Sequence, residues 1–123
     1  MQSNFSKLKN DILGKNYSLS IAFVSEKKSQ EINKKYRKKD KPTNILSFSL
    51  RKNEGELVLC RTVIRREVKE RNKSPHRRSA GEAETSKEWL GFLVIHGMLH
   101  LKGLEHGKKM EELENKYLSR TKF

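Results

Sequence analysis

What this 123-residue sequence has little of narrows its reading first. It holds a single cysteine, Cys60, so no disulfide can close within the chain, a usage that suits a reducing compartment. No stretch approaches the roughly 20 apolar residues that a bilayer-spanning helix needs. Residues 1–14 also lack the apolar centre of a secretory leader. A soluble, cytoplasmic protein with no membrane partner is the expectation. Proline is confined to Pro42 and Pro75, which places breaks after residue 38 and within residues 72–84. Acidic residues are few, 15 against 28 Lys and Arg, for a net charge of +13. There are no internal repeats and no composition shift that would mark a boundary, so residues 1–123 read as one domain, long enough to bury about two-thirds of its unfolded surface.

The positive excess is concentrated. Residues 27–41 carry eight Lys/Arg against Glu31 and Asp40, and residues 61–78 carry eight against Glu67 and Glu70, each a local +6. Residues 79–123 are neutral. One such run alone is as readily a solvated face as a binding surface. Two of them in a small domain favour a polyanionic partner.

That neutral segment holds three of the four histidines, in His96-Gly97-Met98-Leu99-His100-Leu101-Lys102-Gly103-Leu104-Glu105-His106. Residues four apart share a helix face with Cβ atoms about 5–6 Å apart, so His96 and His100 can converge on one ion at Zn–N distances of about 2.0–2.1 Å. Gly103 suits a left-handed helix stop, after which His106 returns as the candidate third ligand. Three histidines with no fourth protein ligand nearby describe a catalytic zinc site with an open position, one ion per chain. A structural site would need another ligand, and only His76 or Cys60 offers one. His76, beside Arg77 and Arg78, reads as solvent-exposed and as a contact to the polyanionic partner at most.

Periodicity supplies the elements. Phe5, Leu8 and Ile12 predict a helix over 3–13, ending at Gly14. Leu19, Ile21 and Phe23 predict a strand over 18–25. A helix over 26–38 follows, with Ile32 and Tyr36 on its buried face. Leu46, Phe48 and Leu50 alternate with serines in a second strand, expected to lie parallel to the first because a helix connects them. A turn over 53–55 leads to a third strand, Glu56–Cys60, antiparallel to the second. Val63, Ile64 and Val68 mark a basic helix over 62–71, followed by a polar loop over 72–84. Thr85-Ser86-Lys87-Glu88 is a capping box that launches a helix apolar on nearly every side, which should run through the core carrying His96 and His100. Met110, Leu113 and Tyr117 outline a last amphipathic helix. The fold class is α+β, a small mixed sheet packed with about five helices.

The spacing His-x3-His-x2-Gly-x2-His is shared with metzincin peptidases, which makes a zinc peptidase one alternative. Such enzymes place a glutamate general base directly after the first histidine. Here that residue is Gly97, which can neither activate water nor carry a proton. Phosphodiester chemistry has less need of that group, because the substrate brings anionic oxygens and the leaving alkoxide can be stabilised by a cation.

The same residues carry a family resemblance. The histidine motif, Tyr36-Arg37, Thr43-Asn44-Ile45-Leu46-Ser47-Phe48 and Gly55-Glu56-Leu57-Val58-Leu59-Cys60 occur in this order and resemble the YbeY endoribonuclease family of rRNA maturation factors over roughly residues 17–118. The resemblance implies an α+β fold and a zinc site formed by His96, His100 and His106. It implies single-strand-specific RNA cleavage in 16S rRNA 3′-end maturation and ribosome quality control, with rRNA and the ribosome or its small subunit as partners and no role for DNA. It also implies that Arg37 is an active-site residue, and a planar guanidinium suits a phosphate clamp. Ser47 lies in a strand characteristic of the family. The sequence departs from the pattern in having no strand before its first helix, Ser49 in place of proline, Glu56 in place of aspartate and Glu105 in place of aspartate. The longer acids could rearrange hydrogen bonds to the ligands. A non-catalytic ribosome-assembly factor with a structural zinc is the second alternative, and the nucleophile, water or a 2′-hydroxyl, is left open.

Overall fold

Where apolar residues alternate the chain forms strands, and where they recur every three or four residues it forms helices. The computed structural model describes residues 2–73, 85–105 and 107–120. His106, His76 and nearly all of the expected 72–84 loop lie outside the described residues. Among the described residues the order is α1 (Gln2–Ile12), β1 (Ser18–Phe23), α2 (Glu26–Arg37), β2 (Ile45–Arg51), β3 (Glu54–Leu59), α3 (Arg61–Lys73), α4 (Ser86–Lys102) and α5 (Lys108–Arg120). This is an α+β fold with a small mixed sheet, and none of its described helices is long and apolar enough to cross a membrane.

The sheet order is β1-β3-β2. β2 and β3 form an antiparallel hairpin, with Ile45 opposite Leu59 and Ser47 opposite Leu57, and the register slips between Ser49 and Arg51. The turn falls at Lys52–Asn53, earlier than the sequence suggested. β1 pairs parallel with β3, from Ser18 opposite Glu54 to Phe23 opposite Leu59. The expectation that β1 and β2 lie parallel is therefore corrected: β3 separates them, and they run in opposite directions. The reason is burial. β3 carries Leu57, Val58 and Leu59 in succession, all buried, and consecutive apolar residues need cover on both faces. The serine-rich β2 takes an edge, and Leu50, at the register slip, is 54% exposed.

α2 also departs from its apolar pattern. Its buried residues are Ser29 and Asn33, whereas Tyr36, expected on the buried face, is 58% exposed. The Ser29 hydroxyl donates to the Thr43 carbonyl and accepts from the Thr43 N–H, each at 2.9 Å, and Asn33 Nδ2 donates to the Lys41 carbonyl at 2.9 Å. These bonds satisfy backbone groups of the 38–44 segment that no strand or helix provides for. They hold that segment against α2 and leave Tyr36 and Arg37 at the rim.

α4 is the spine. Thr85 Oγ1 accepts from the Glu88 N–H while Glu88 Oε1 accepts from the Thr85 N–H, each at 3.0 Å, closing the capping box. Gly103 ends the helix in the left-handed region at φ 108°. Val94, Ile95, Met98 and Leu99 are fully buried. Gly97 lies so close to the sheet that a Cβ there would stand 2.8 Å from Leu57 Cδ2 and 3.0 Å from both Ile45 Cδ1 and Ser47 Oγ. Alanine at Gly97 gains up to about 1 kcal/mol in helix propensity, but overpacking a well-filled core costs about 1–3 kcal/mol, and Leu57 is fully buried. Gly97→Ala should lower the urea midpoint, by a net destabilisation of up to about 2 kcal/mol. A midpoint equal to or above that of the unsubstituted protein would contradict this close seating.

Candidate active site

One stripe of α4 escapes the core. Trp89, Phe92, His96 and His100, three or four residues apart, share a face and are each half-buried while the positions between them are mostly buried. Their rings form a ladder: Trp89 and Phe92 are stacked at 5.2 Å and 6°, Phe92 and His96 at 6.1 Å and 25°, and His96 and His100 meet edge-on at 4.6 Å. This stripe makes one wall of a groove of about 880 Å³, whose other side is formed by β2, the segment before it and the end of α2, with Tyr36, Arg37, Asn44 and Ser47 among the lining residues.

The two imidazoles point at one another. His96 Nε2 and His100 Nε2 are 3.1 Å apart. His96 Nδ1 is hydrogen-bonded to Glu114 Oε2, and His100 Nδ1 donates to the Leu104 carbonyl at 3.1 Å. With the proton of each ring held at Nδ1 by an acceptor, both Nε2 atoms present lone pairs. Two lone pairs facing at that distance repel unless a cation or a proton lies between them. An ion about 2.0–2.1 Å from each nitrogen fits the spacing, and a carboxylate or carbonyl on the far nitrogen is the usual support for a metal-bound histidine. The donor set therefore suits zinc. No group of three His, Cys, Asp or Glu that could hold a metal occurs among the described residues, and the candidate third ligand, His106, lies outside them.

Glu114 escaped the sequence reading. It is a carboxylate only 7% exposed, on the face of α5 that also buries Met110, and its partner is 18 residues away. The one signal was an acid four residues after Met110 on an otherwise apolar face. The hydrogen bonds at Nδ1 come from Glu114 and the Leu104 carbonyl, and Glu105, although within the motif, is exposed. Glu56 sits in register with Phe48 on β2.

Arg37, exposed at the end of α2, lines the same groove as the histidines. Ser47 also lines it, with its hydroxyl 3.5 Å from the Gly97 carbonyl. A further polar clamp fixes the wall: Glu67 on α3 accepts from Trp89 Nε1 at 2.9 Å and from Asn44 Nδ2 at 3.0 Å. The Arg71 guanidinium lies 3.7 Å from the centroid of the Trp89 ring. The basic helix α3 thus braces the groove from behind, and Glu67 ties β2's entry to α4.

The chain is 38% identical over 105 residues to an Endoribonuclease YbeY of Colwellia psychrerythraea, covering 80% of this chain and 61% of that protein. It is 34% identical over 108 residues to an Endoribonuclease YbeY of Staphylococcus carnosus, covering 78% of this chain and 63% of that one. It thus spans about three-fifths of the length of these relatives. The solution structure of TM1509 from Thermotoga maritima superposes with a TM-score of 0.66 at 27% identity, covering 96% of this chain and 76% of that one. The family profile described as Endoribonuclease YbeY matches residues 2–122, and the chain belongs to that family.

Proposed function

We propose that this chain is a zinc-dependent endoribonuclease that cleaves single-stranded RNA in the cytoplasm, acting on rRNA in 16S 3′-end maturation and ribosome quality control. The observation that carries the reading is the facing His96 and His100 Nε2 pair, 3.1 Å apart in a groove that Arg37 also lines. His96, His100 and His106 are the ligands in this reading. The bound zinc would supply Lewis acidity toward a phosphate oxygen and toward the attacking hydroxyl.

The chain's own groups do the rest. Glu114 and the Leu104 carbonyl hold the imidazole protons at Nδ1 and so keep Nε2 available. Arg37 offers a planar fork of N–H donors to the scissile phosphate and balances the charge that builds on its oxygens. Phe92 and Leu93, both in the groove lining, reduce the water around that charge and strengthen the attraction. A peptidase reading finds no support, since the position after His96 faces Leu57 and Ile45 without room for a glutamate. A purely structural zinc fits less well, because closed coordination is typical of structural sites and this pair borders an open groove.

Three measurements test the reading. Zinc-reconstituted protein should carry one ion per chain by elemental analysis, His100→Ala should lose it, and Glu114→Gln should fold normally but bind zinc about 10–100-fold more weakly. Protein that takes up no transition metal on reconstitution would remove the site. Arg37→Ala should keep its metal and its stability to within about 0.5 kcal/mol, yet lose about 100–1,000-fold in cleavage rate, the scale of an oxyanion donor. Normal cleavage by this variant would reduce Arg37 to one more solvated cation. Binding to single-stranded RNA should weaken with salt at a log–log slope of about −3 to −4 if four to six phosphates are engaged, near −0.7 for each. Affinity that ignores salt would exclude the two basic segments as the RNA-binding surface.

A further inference from the structure

Large apolar side chains exposed on the described surface are Phe23, Tyr36 and Leu50. The Phe23 ring is covered by the Arg61 guanidinium, 4.0 Å from its centroid, and Leu50 lies at the register slip beside the hairpin turn. Tyr36 differs from both. It is 58% exposed, it lines the groove, and the neighbouring residue in sequence is Arg37. Its ring is held in place by Phe48, whose centroid lies 5.2 Å away at an interplanar angle of 70°. The Lys35 ammonium also lies over the ring, 5.2 Å from its centroid, a looser contact than the Arg61 guanidinium makes with Phe23, and more than half of the Tyr36 surface stays exposed beside these two neighbours. The backbone beneath it is fixed as well, because the next residues turn through Lys38 at φ 61° and return along α2 on the Ser29 and Asn33 bonds.

A rigid, half-open aromatic ring beside a guanidinium, in a strongly basic protein, matches the chemistry of an unpaired nucleotide. The cation takes the phosphate and the ring takes the base, as in surfaces that bind single strands by stacking. A groove of about 880 Å³ lies at the upper end of the size of ligand cavities, about 300–1,000 Å³, so it has room for a base as well as the phosphate. We propose that Tyr36 is a base-stacking platform, receiving one unpaired nucleobase of the RNA next to the phosphate held by Arg37. This rests on the endoribonuclease reading and adds to it a physical reason for single-strand preference: a base in a duplex is already stacked and paired, and must be extruded before it reaches the ring. Stacking tolerates any base, because each has a π face, so the platform selects for unpaired RNA and not for sequence.

The test is a coupling measurement on binding, made in chelator so that cleavage plays no part. Affinity is measured for the unsubstituted protein, Tyr36→Phe and Tyr36→Ala with a single-stranded oligoribonucleotide and with copies carrying one abasic residue at successive positions. The unsubstituted protein and Tyr36→Phe should lose about tenfold at one abasic position, within the range typical of base–aromatic stacking. Tyr36→Ala should lose about tenfold on the intact oligonucleotide and almost nothing further at that position. Losses that multiply independently would overturn the platform. So would RNA affinity in Tyr36→Ala equal to that of the unsubstituted protein, the result expected if the ring serves a protein partner. Cleavage by the zinc-loaded protein is scored separately. Coupling without cleavage would retain the platform and remove the nuclease, whereas cleavage without coupling would do the reverse.

Discussion

The close seating of α4 on the β2–β3 hairpin governs the rest of the structure. At Gly97 the helix backbone comes near enough to Leu57, Ile45 and Ser47 that a single added carbon would press on all three. A helix held so tightly along the face next to the histidines cannot roll, so the angular positions of His96 and His100 are set by that packing. This is how a small domain can aim two imidazoles with a rigid element instead of a loop, the condition for holding a constant geometry at a reactive centre. The same contact leaves no space for a carboxylate after His96.

Polar bonds from other elements complete what packing begins. Glu114 reaches His96 from α5, the Leu104 carbonyl reaches His100 from the turn beyond Gly103, and Glu67 joins Asn44 to Trp89 from α3. Each sits at a junction between elements. Half-buried hydrogen bonds of this kind contribute modestly to net stability, but leaving one of their partners unsatisfied is costly, so they specify arrangement more than they add energy. Ser29 and Asn33 do the same for the segment that follows α2, at the expense of an apolar face on that helix.

Charge acts at a longer range. The +6 of residues 27–41 ends at the groove through Arg37, while the described part of 61–78 forms α3 behind the wall, with Arg71 laid across Trp89. A field of one sign around a groove with apolar walls raises the local concentration of an anionic chain. The histidine segment itself stays neutral overall.

Local signals were legible in the sequence because their causes are local. The Thr85 capping box, the Gly103 stop, the strand alternation in β1 and the shared face of His96 and His100 each depend on residues within about one or two helical turns, whose geometry backbone sterics fix. The family motifs were legible for the same reason, being short and ordered. What the sequence could not carry was which elements become neighbours. β3 displaced β2 from beside β1 because Leu57, Val58 and Leu59, buried in succession, need the interior position flanked by strands on both edges, a comparison of burial among whole strands. Tyr36 turned outward because Ser29 and Asn33 were needed by a distant loop backbone. Glu114 met His96 across 18 residues of chain. The sequence determined the elements and the chemistry of the histidine face. The tertiary structure decided what supports that face and what stands across the groove from it, because those contacts join residues that no local periodicity relates.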